Sequence, residues 1–200
     1  MLDEMVPCSL DSEPFPSGET VRTTELLLQE LDLEAHYTRR HLERVPMDKL
    51  DFKPHAKSMS LGWLATFTAI LPSWGTLTLA KAEFDVAPPG GSDEDFSIRD
   101  STESLLALFD RNMGAMREAL TRLTDAQLDE PWALKAAGHT VFSQPRGIVY
   151  RTFIMNHLVH HRAQLGVFLR MVGIAVPAVY NDSADEKGGM FMEDVAARGF

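Results

Sequence analysis

The apolar residues of the chain recur at three- and four-residue steps in four long segments, a spacing that predicts four helices. The first helix is expected to begin at Thr23 or Thr24, either of which can cap it, and to end before Pro46. Charged residues on its opposite side predict that His36 and His41 lie at the surface. Its core face consists of Leu27, Leu31, Ala35, Leu42 and Val45.

The second helix is expected to cover roughly 60–81. Residues 58–80 contain no charge, a run almost long enough for a membrane span. Several threonines and Pro72 make the segment too polar for a span, so a helix that is buried on most sides explains it better. Pro72 removes a backbone donor and is expected to kink this helix. Its inward stripe consists of Leu64, Phe67, Leu71 and Trp74.

The third and fourth helices are delimited by residues typical of helix ends. Asp100 or Ser101 is the expected cap of the third helix. Pro145 in its first turn is expected to start the fourth helix, and Gly173 to end it. The core face of the third helix consists of Leu105, Phe109, Met113, Met116, Leu120 and Leu123.

The remaining segments show no periodic pattern. Residues 84–99 and 124–144 are expected to be loops, and Trp132 either seals the end of the helical assembly or lines the mouth of a pocket. With no strand-like alternation, the chain is predicted to be all-α, a single four-helix bundle. Residues 1–19 are predicted to form a flexible N-terminal arm and residues 187–200 a C-terminal tail.

Charge and cysteine content exclude several classes of function. The chain has 19 basic and 29 acidic residues, a net charge of −10, which disfavours binding to nucleic acid or to anionic membranes. The lone Cys8 excludes an internal disulfide and a CxxC zinc or redox motif. The first twenty residues lack the pattern of a secretory signal, and a cytoplasmic location is expected.

Two histidines interrupt the apolar face of the fourth helix. His157 and His161 are four residues apart, so their rings stand one turn apart on the same face and can converge on one metal ion. His160 lies about 100° around the helix from His161 and cannot be a third ligand on that face. The spacing alone also suits two hydrogen-bonded histidines in a helical core, so both interpretations stay open.

The sequence around the two histidines is more specific for a protein family than their spacing is. Residues 156–170 read NHLVHHRAQLGVFLR, residues 176–180 VPAVY and residues 183–186 SADE. Upstream, residues 50–55 read LDFKPH and residues 57–62 KSMSLG. In this order and at this distance, the blocks resemble the DinB-like family.

The resemblance covers one predicted domain, roughly residues 20–186. It implies a four-helix bundle of the up-down-down-up type, which is often a homodimer. It also implies a site in which three histidines hold a divalent ion such as zinc or nickel. Characterised relatives include thiol-dependent S-transferases of the bacillithiol-transferase kind and a maleylpyruvate isomerase.

This chain departs from the family pattern at one ligand position. The first metal-ligand histidine of the family comes from the second helix, in a Leu-x-x-His segment after the Met-Ser-Leu-Gly opening. Here Phe67 occupies its place, while His157 and His161 match the other two ligands. The second helix offers no Asp, Glu, Cys or His as a substitute, which leaves His55 and His139 as the alternatives within the chain. Zinc or nickel is therefore expected to bind weakly or not at all.

Three hypotheses for the function remain open. The first is a divalent-metal-dependent thiol S-transferase or hydrolase with an incomplete histidine site, in which the ion acts as a Lewis acid. The second is a metal-free protein that binds a small apolar or aromatic ligand against Phe67. The third is a structural, homodimeric bundle without catalytic activity.

Overall fold

The computed structural model describes residues 21–91 and 95–187. Its helices are α1 (Thr23–Leu42), α2 (Leu61–Ala80), α3 (Thr102–Thr121), α4 (Asp125–Leu128), α5 (Arg146–Val149) and α6 (Asn156–Met171). A 3-10 turn (Met47–Lys49) follows α1, and π-helical turns (Tyr150–Met155) join α5 to α6. The strands are β1 (Glu83–Asp85), β2 (Pro131–Ala136) and β3 (His139–Pro145). The predicted arm with Cys8, and residues 188–200 of the predicted tail, lie outside the described residues.

The four predicted helices are present, and the starts of α3 and α1 show how these two helices are capped. Ser101 caps α3, as predicted, because its hydroxyl oxygen accepts a hydrogen bond from the Ser104 N–H at 3.2 Å. The start of α1 differs from the prediction. The backbone N–H groups of Thr23 and Thr24 donate to the carboxylate of Asp125, at 2.7 and 3.0 Å, so α4 caps α1 from a distant part of the chain.

The long helices surround one hydrophobic core. Helices α1 and α2 each pack against both α3 and α6. The approach between α2 and α3 is close at Gly75, where a Cβ atom would lie 1.9 Å from the sulfur of Met116, so a larger residue would require the Met116 side chain to move. The up-down-down-up order stays a prediction.

A small sheet replaces part of the predicted loops. Strand β1 pairs with β2 in parallel and β2 pairs with β3 antiparallel, so the protein is mostly helical rather than purely α-helical. The turn between β2 and β3 has positive φ at Ala137 and Gly138, the geometry that suits a tight hairpin. The carboxylate of Asp85 holds this turn by accepting hydrogen bonds from both N–H groups, at 3.0 and 2.7 Å.

The sheet covers one side of the helical core. Trp132 on β2 is 1% exposed and packs with Leu134 and Val149. This small cluster is separate from the main core, and the choice between the two roles proposed for Trp132 stays a prediction. No helix among the described residues is both long enough and apolar enough to cross a membrane.

Candidate histidine and aromatic site

Helix α6 brings His157 and His161 together. Their Nε2 atoms are 2.8 Å apart, and the ring centroids are separated by 4.5 Å. His161 is 5% exposed, and its Nδ1 contacts the Oε1 of Gln164 at 2.9 Å. An amide oxygen can only accept a hydrogen bond, so in this orientation of Gln164 the proton of a neutral His161 lies on Nδ1, and Nε2 carries a lone pair towards His157.

Phe67 on α2 lies against both imidazoles. Its ring centroid is 5.2 Å from that of His161, with the ring planes at 89°, and 5.8 Å from that of His157. Such an edge-to-face contact is a favoured arrangement of aromatic rings. The place next to the histidine pair that faces α2 is thus filled by a hydrocarbon ring without a donor atom.

Further aromatic rings extend the wall around Phe67. Trp63 stacks on Phe67 at 4.8 Å with 13° between the planes, and Trp74 meets Phe67 edge-on at 5.4 Å. Phe153, in the π-helical turns, stacks on Trp74 at 6.3 Å and contacts His157 at 6.1 Å. Trp63 is 36% exposed, so the wall reaches the surface at this ring.

Burial sets the charge of the two imidazoles. Burial is the main cause that lowers the pKa of His161 to about 4, and the neighbouring His157 and His160 add to the shift. Burial also lowers the pKa of His157, against a smaller opposite effect of the Phe153 carbonyl. Both rings are therefore neutral at neutral pH, when they can accept or donate hydrogen bonds.

The residues present do not fit a three-histidine metal centre. Within the described ranges, no group of three or more His, Cys, Asp or Glu side chains is arranged to hold an ion. His55, His139 and His160 are exposed to solvent and do not join the pair in such a group. That Phe67 took the place of a ligand stays a prediction from the resemblance, but its ring leaves no donor atom on that side.

Two histidines that were expected at the surface are buried. His36 is 8% exposed and His41 is 3% exposed, so that prediction was wrong for both. The charged neighbours in sequence were misleading because α1 is covered by α3, by α6 and by the segment after α6. Burial lowers the pKa of His41 to about 4, helped by the positive charges of Arg162, Arg40 and Arg44.

A buried ionic network on α1 and α6 also escaped the sequence analysis. The guanidinium of Arg162 pairs with the carboxylate of Glu34, and the two side chains are 3% and 5% exposed. The hydroxyl of Tyr180 donates to Glu34 at 2.5 Å and accepts from Arg162 at 2.7 Å. Tyr180 lies in the segment after α6, so this network attaches that segment to the helices.

Comparisons with known proteins agree with this fold. The uncharacterized protein YrdA of Bacillus subtilis (strain 168) is 25% identical over 166 residues, which are 82% of this chain and 92% of YrdA. The crystal structure of a DinB-like protein from Bacillus cereus ATCC 10987 matches with a TM-score of 0.61 and 26% identity, over 80% of this chain and 100% of that one. The DinB-like protein YjoA of Bacillus subtilis has the same fold, with a TM-score of 0.58 and 17% identity over 76% of this chain and 96% of YjoA.

The fold and the paired histidines thus define a mostly helical protein with a histidine site between two helices. The sequence profile of the DinB family matches residues 20–189. The chain belongs to the DinB family.

Proposed function

We propose that this protein binds a small aromatic or other apolar molecule at the site formed by Phe67, His157 and His161. The observation that carries the proposal is the position of the Phe67 ring, 5.2 and 5.8 Å from the two imidazole centroids. A hydrocarbon ring in this position favours an apolar ligand and disfavours an ion that needs a third donor.

The surroundings supply the two features that such a binding site needs. The rings of Trp63, which stacks on Phe67, and of Trp74, which meets Phe67 edge-on, offer apolar surface, and aromatic contacts orient a planar ligand. The neutral imidazoles supply hydrogen-bonding atoms that can select a ligand with one polar group. Because Trp63 is partly exposed and stacks on Phe67, a movement of this side chain would open a route for a ligand from solvent to Phe67.

The experiment is a titration with 1-naphthol, an aromatic molecule with a single hydroxyl, followed by calorimetry. We expect His157→Ala to weaken binding about two- to tenfold, because one hydrogen bond contributes about 0.5–1.5 kcal/mol. Trp63→Leu is expected to weaken it by a similar factor through lost stacking. Val141→Ala, an exposed residue on β3, is the matched control and should leave binding unchanged. Equal binding by all four proteins, or no binding by the parent, would reject the proposal.

A metal-dependent thiol S-transferase or hydrolase is the second candidate, and the two converging Nε2 atoms favour it. Gln164 and the Phe153 carbonyl act as hydrogen-bond acceptors for the two rings. When both rings donate from Nδ1, two Nε2 lone pairs face each other at 2.8 Å, an arrangement that a shared cation would stabilise.

Elemental analysis separates the two candidates. The protein should be purified without a polyhistidine tag and dialysed at neutral pH. The ligand-binding proposal predicts far less than one zinc or nickel ion per chain. A near-stoichiometric content that His157→Ala abolishes would support the metal-dependent candidate instead.

A further inference from the structure

A second concave surface lies on the side of α6 that faces away from the histidine pair. This groove, with a volume of about 510 Å³, separates α6 from the segment 174–187 that follows it. Ala163, Gly166 and Val167 form its α6 wall, and Val176 and Tyr180 form the opposite wall. Its volume lies in the range of small-molecule sites, about 300–1,000 Å³.

Two buried polar side chains, His41 of α1 and Arg162 of α6, line the groove, and Arg162 is already paired with Glu34. His41 is 3% exposed, and its Nδ1 is 2.8 Å from the carbonyl oxygen of Tyr37. A carbonyl only accepts, so Nδ1 carries the proton and Nε2 of the neutral ring carries a lone pair. Among the described residues, no group donates a hydrogen bond to this Nε2.

Gly166 keeps the space in front of His41 open. A Cβ atom at position 166 would lie 3.4 Å from His41 Nε2 and 3.5 Å from Val176 Cγ1, which are ordinary contact distances. The helix would therefore tolerate alanine here. The methyl group would occupy the volume next to the lone pair, so the absent side chain leaves Nε2 accessible from the groove.

The opposite wall is held in place by charged contacts. Glu186 pairs with Arg40 and Arg44, and Asp185 pairs with Arg170. Together with the bond from Tyr180 to Glu34, these contacts fix segment 174–187 to α1 and α6. The groove is thus formed before any ligand arrives, which lowers the entropic cost of binding.

We propose that this groove is a second binding site, separate from the histidine pair, for a small apolar molecule that carries one hydrogen-bond donor. The apolar walls hold the hydrocarbon part, and the donor, such as a hydroxyl group, binds to the Nε2 of His41. A donor is required because an apolar ligand in the groove would otherwise cover this lone pair and leave it without a partner, an arrangement that costs free energy.

Cyclohexanol and cyclohexanone test this requirement, since they have similar shape but only the alcohol can donate. Each is titrated while the methyl NMR signals of Val167, Met171 and Val176 are followed. We expect the alcohol to shift these signals and to bind about two- to tenfold more tightly than the ketone, the value of one hydrogen bond. Equal affinity of the two compounds, or no shift with either, would overturn the proposal.

Variants locate the site without disturbing the core. Gly166→Ala and the exposed Ala163→Leu fill the groove and should each weaken cyclohexanol binding severalfold, whereas Ala115→Leu, an equally exposed position on α3, should not. His157→Ala should also leave cyclohexanol binding unchanged, which separates this site from the histidine pair. If Ala163→Leu instead converts a dimer into a monomer and the parent does not bind the alcohol, the groove is a subunit interface and the proposal is wrong.

Discussion

Replacing Phe67 by histidine tests the orientation of this position on α2. The question is whether a side chain at position 67 points towards His157 and His161 as a third metal ligand would. Without metal, the variant should be less stable than the parent. It loses apolar volume at a site that is 7% exposed, and a buried ring nitrogen without a partner costs about 1–3 kcal/mol. For a domain of this size, about 1 kcal/mol corresponds to ~2–4 °C in Tm, so Tm should fall by about 2–12 °C.

Metal should reverse the sign of this change. Three imidazoles would then surround one point, and binding to the folded state alone adds about 2.7 kcal/mol at a hundredfold excess over Kd. The expected rise in Tm is therefore about 5–11 °C for the variant with zinc or nickel. The parent should respond much less, because it offers two donors. The assay is a thermal melt of parent and variant, each with and without the ion.

Two controls separate coordination from packing. Phe67→Leu loses aromatic volume without adding a donor, so its Tm should fall and should not recover with metal. Phe67→His combined with His161→Gln restores a pair of histidines, and its response to metal should return to that of the parent. If Phe67→His and the parent respond equally to metal, Phe67 does not stand in a ligand direction, and the inferred loss of a histidine from the site is wrong.

Three further predictions concern the rest of the fold. Replacing one partner of the buried Glu34–Arg162 pair, as in Glu34→Gln or Arg162→Met, should lower the free energy of unfolding by about 3–5 kcal/mol. The double variant should lose less than the sum of the two single losses, measured by urea denaturation, and additive losses would contradict the pairing. Because the pKa of His41 is lowered from 6.5 to about 4, the unfolded chain binds the extra proton, so the contribution of His41 to stability is fully present above about pH 6.5, falls by about 3 kcal/mol as the pH drops to 4 and then levels off. The pKa of His161 is lowered to the same value and adds its own fall, so His41→Gln should make this part of the pH profile shallower but not flat, and parallel profiles of parent and variant would refute it. Sedimentation equilibrium at micromolar concentration should show a homodimer, and a particle that stays at 22.3 kDa at every concentration would exclude it.

The helices could be predicted from the sequence because their signals are local. The predicted second helix, 60–81, agrees with α2 at Leu61–Ala80, and Ser101 was one of two expected caps for α3. An apolar stripe needs only a periodicity of three to four residues, and a cap needs one side chain near the first turn. Both are visible within a short window of sequence.

The sheet and the buried polar groups could not be predicted in this way, because their partners are distant. Strand β1 is three residues long and pairs with β2, about fifty residues later, so neither strand has a strong pattern of its own. Glu34 and Arg162 are separated by 128 positions. His41 was expected at the surface for the same reason, since α6 and the segment after it, which cover His41, are distant in sequence.

The exposed apolar residues of α6 are the structural reason to expect a homodimer. An uncharged run such as that in α2 can indicate a second subunit, but most of α2 is buried within the chain, by α3, α6 and β1. That run therefore needs no partner subunit. On α6, by contrast, Val167 and Met171 are 57% and 54% exposed, and both line the groove beside His41. A dimer that uses this face would exclude a ligand from the groove. Sedimentation of the parent and of Ala163→Leu decides between these uses of the surface: a ligand site in the groove predicts that both proteins have the same assembly state, whereas an interface there predicts that the variant alone is a monomer.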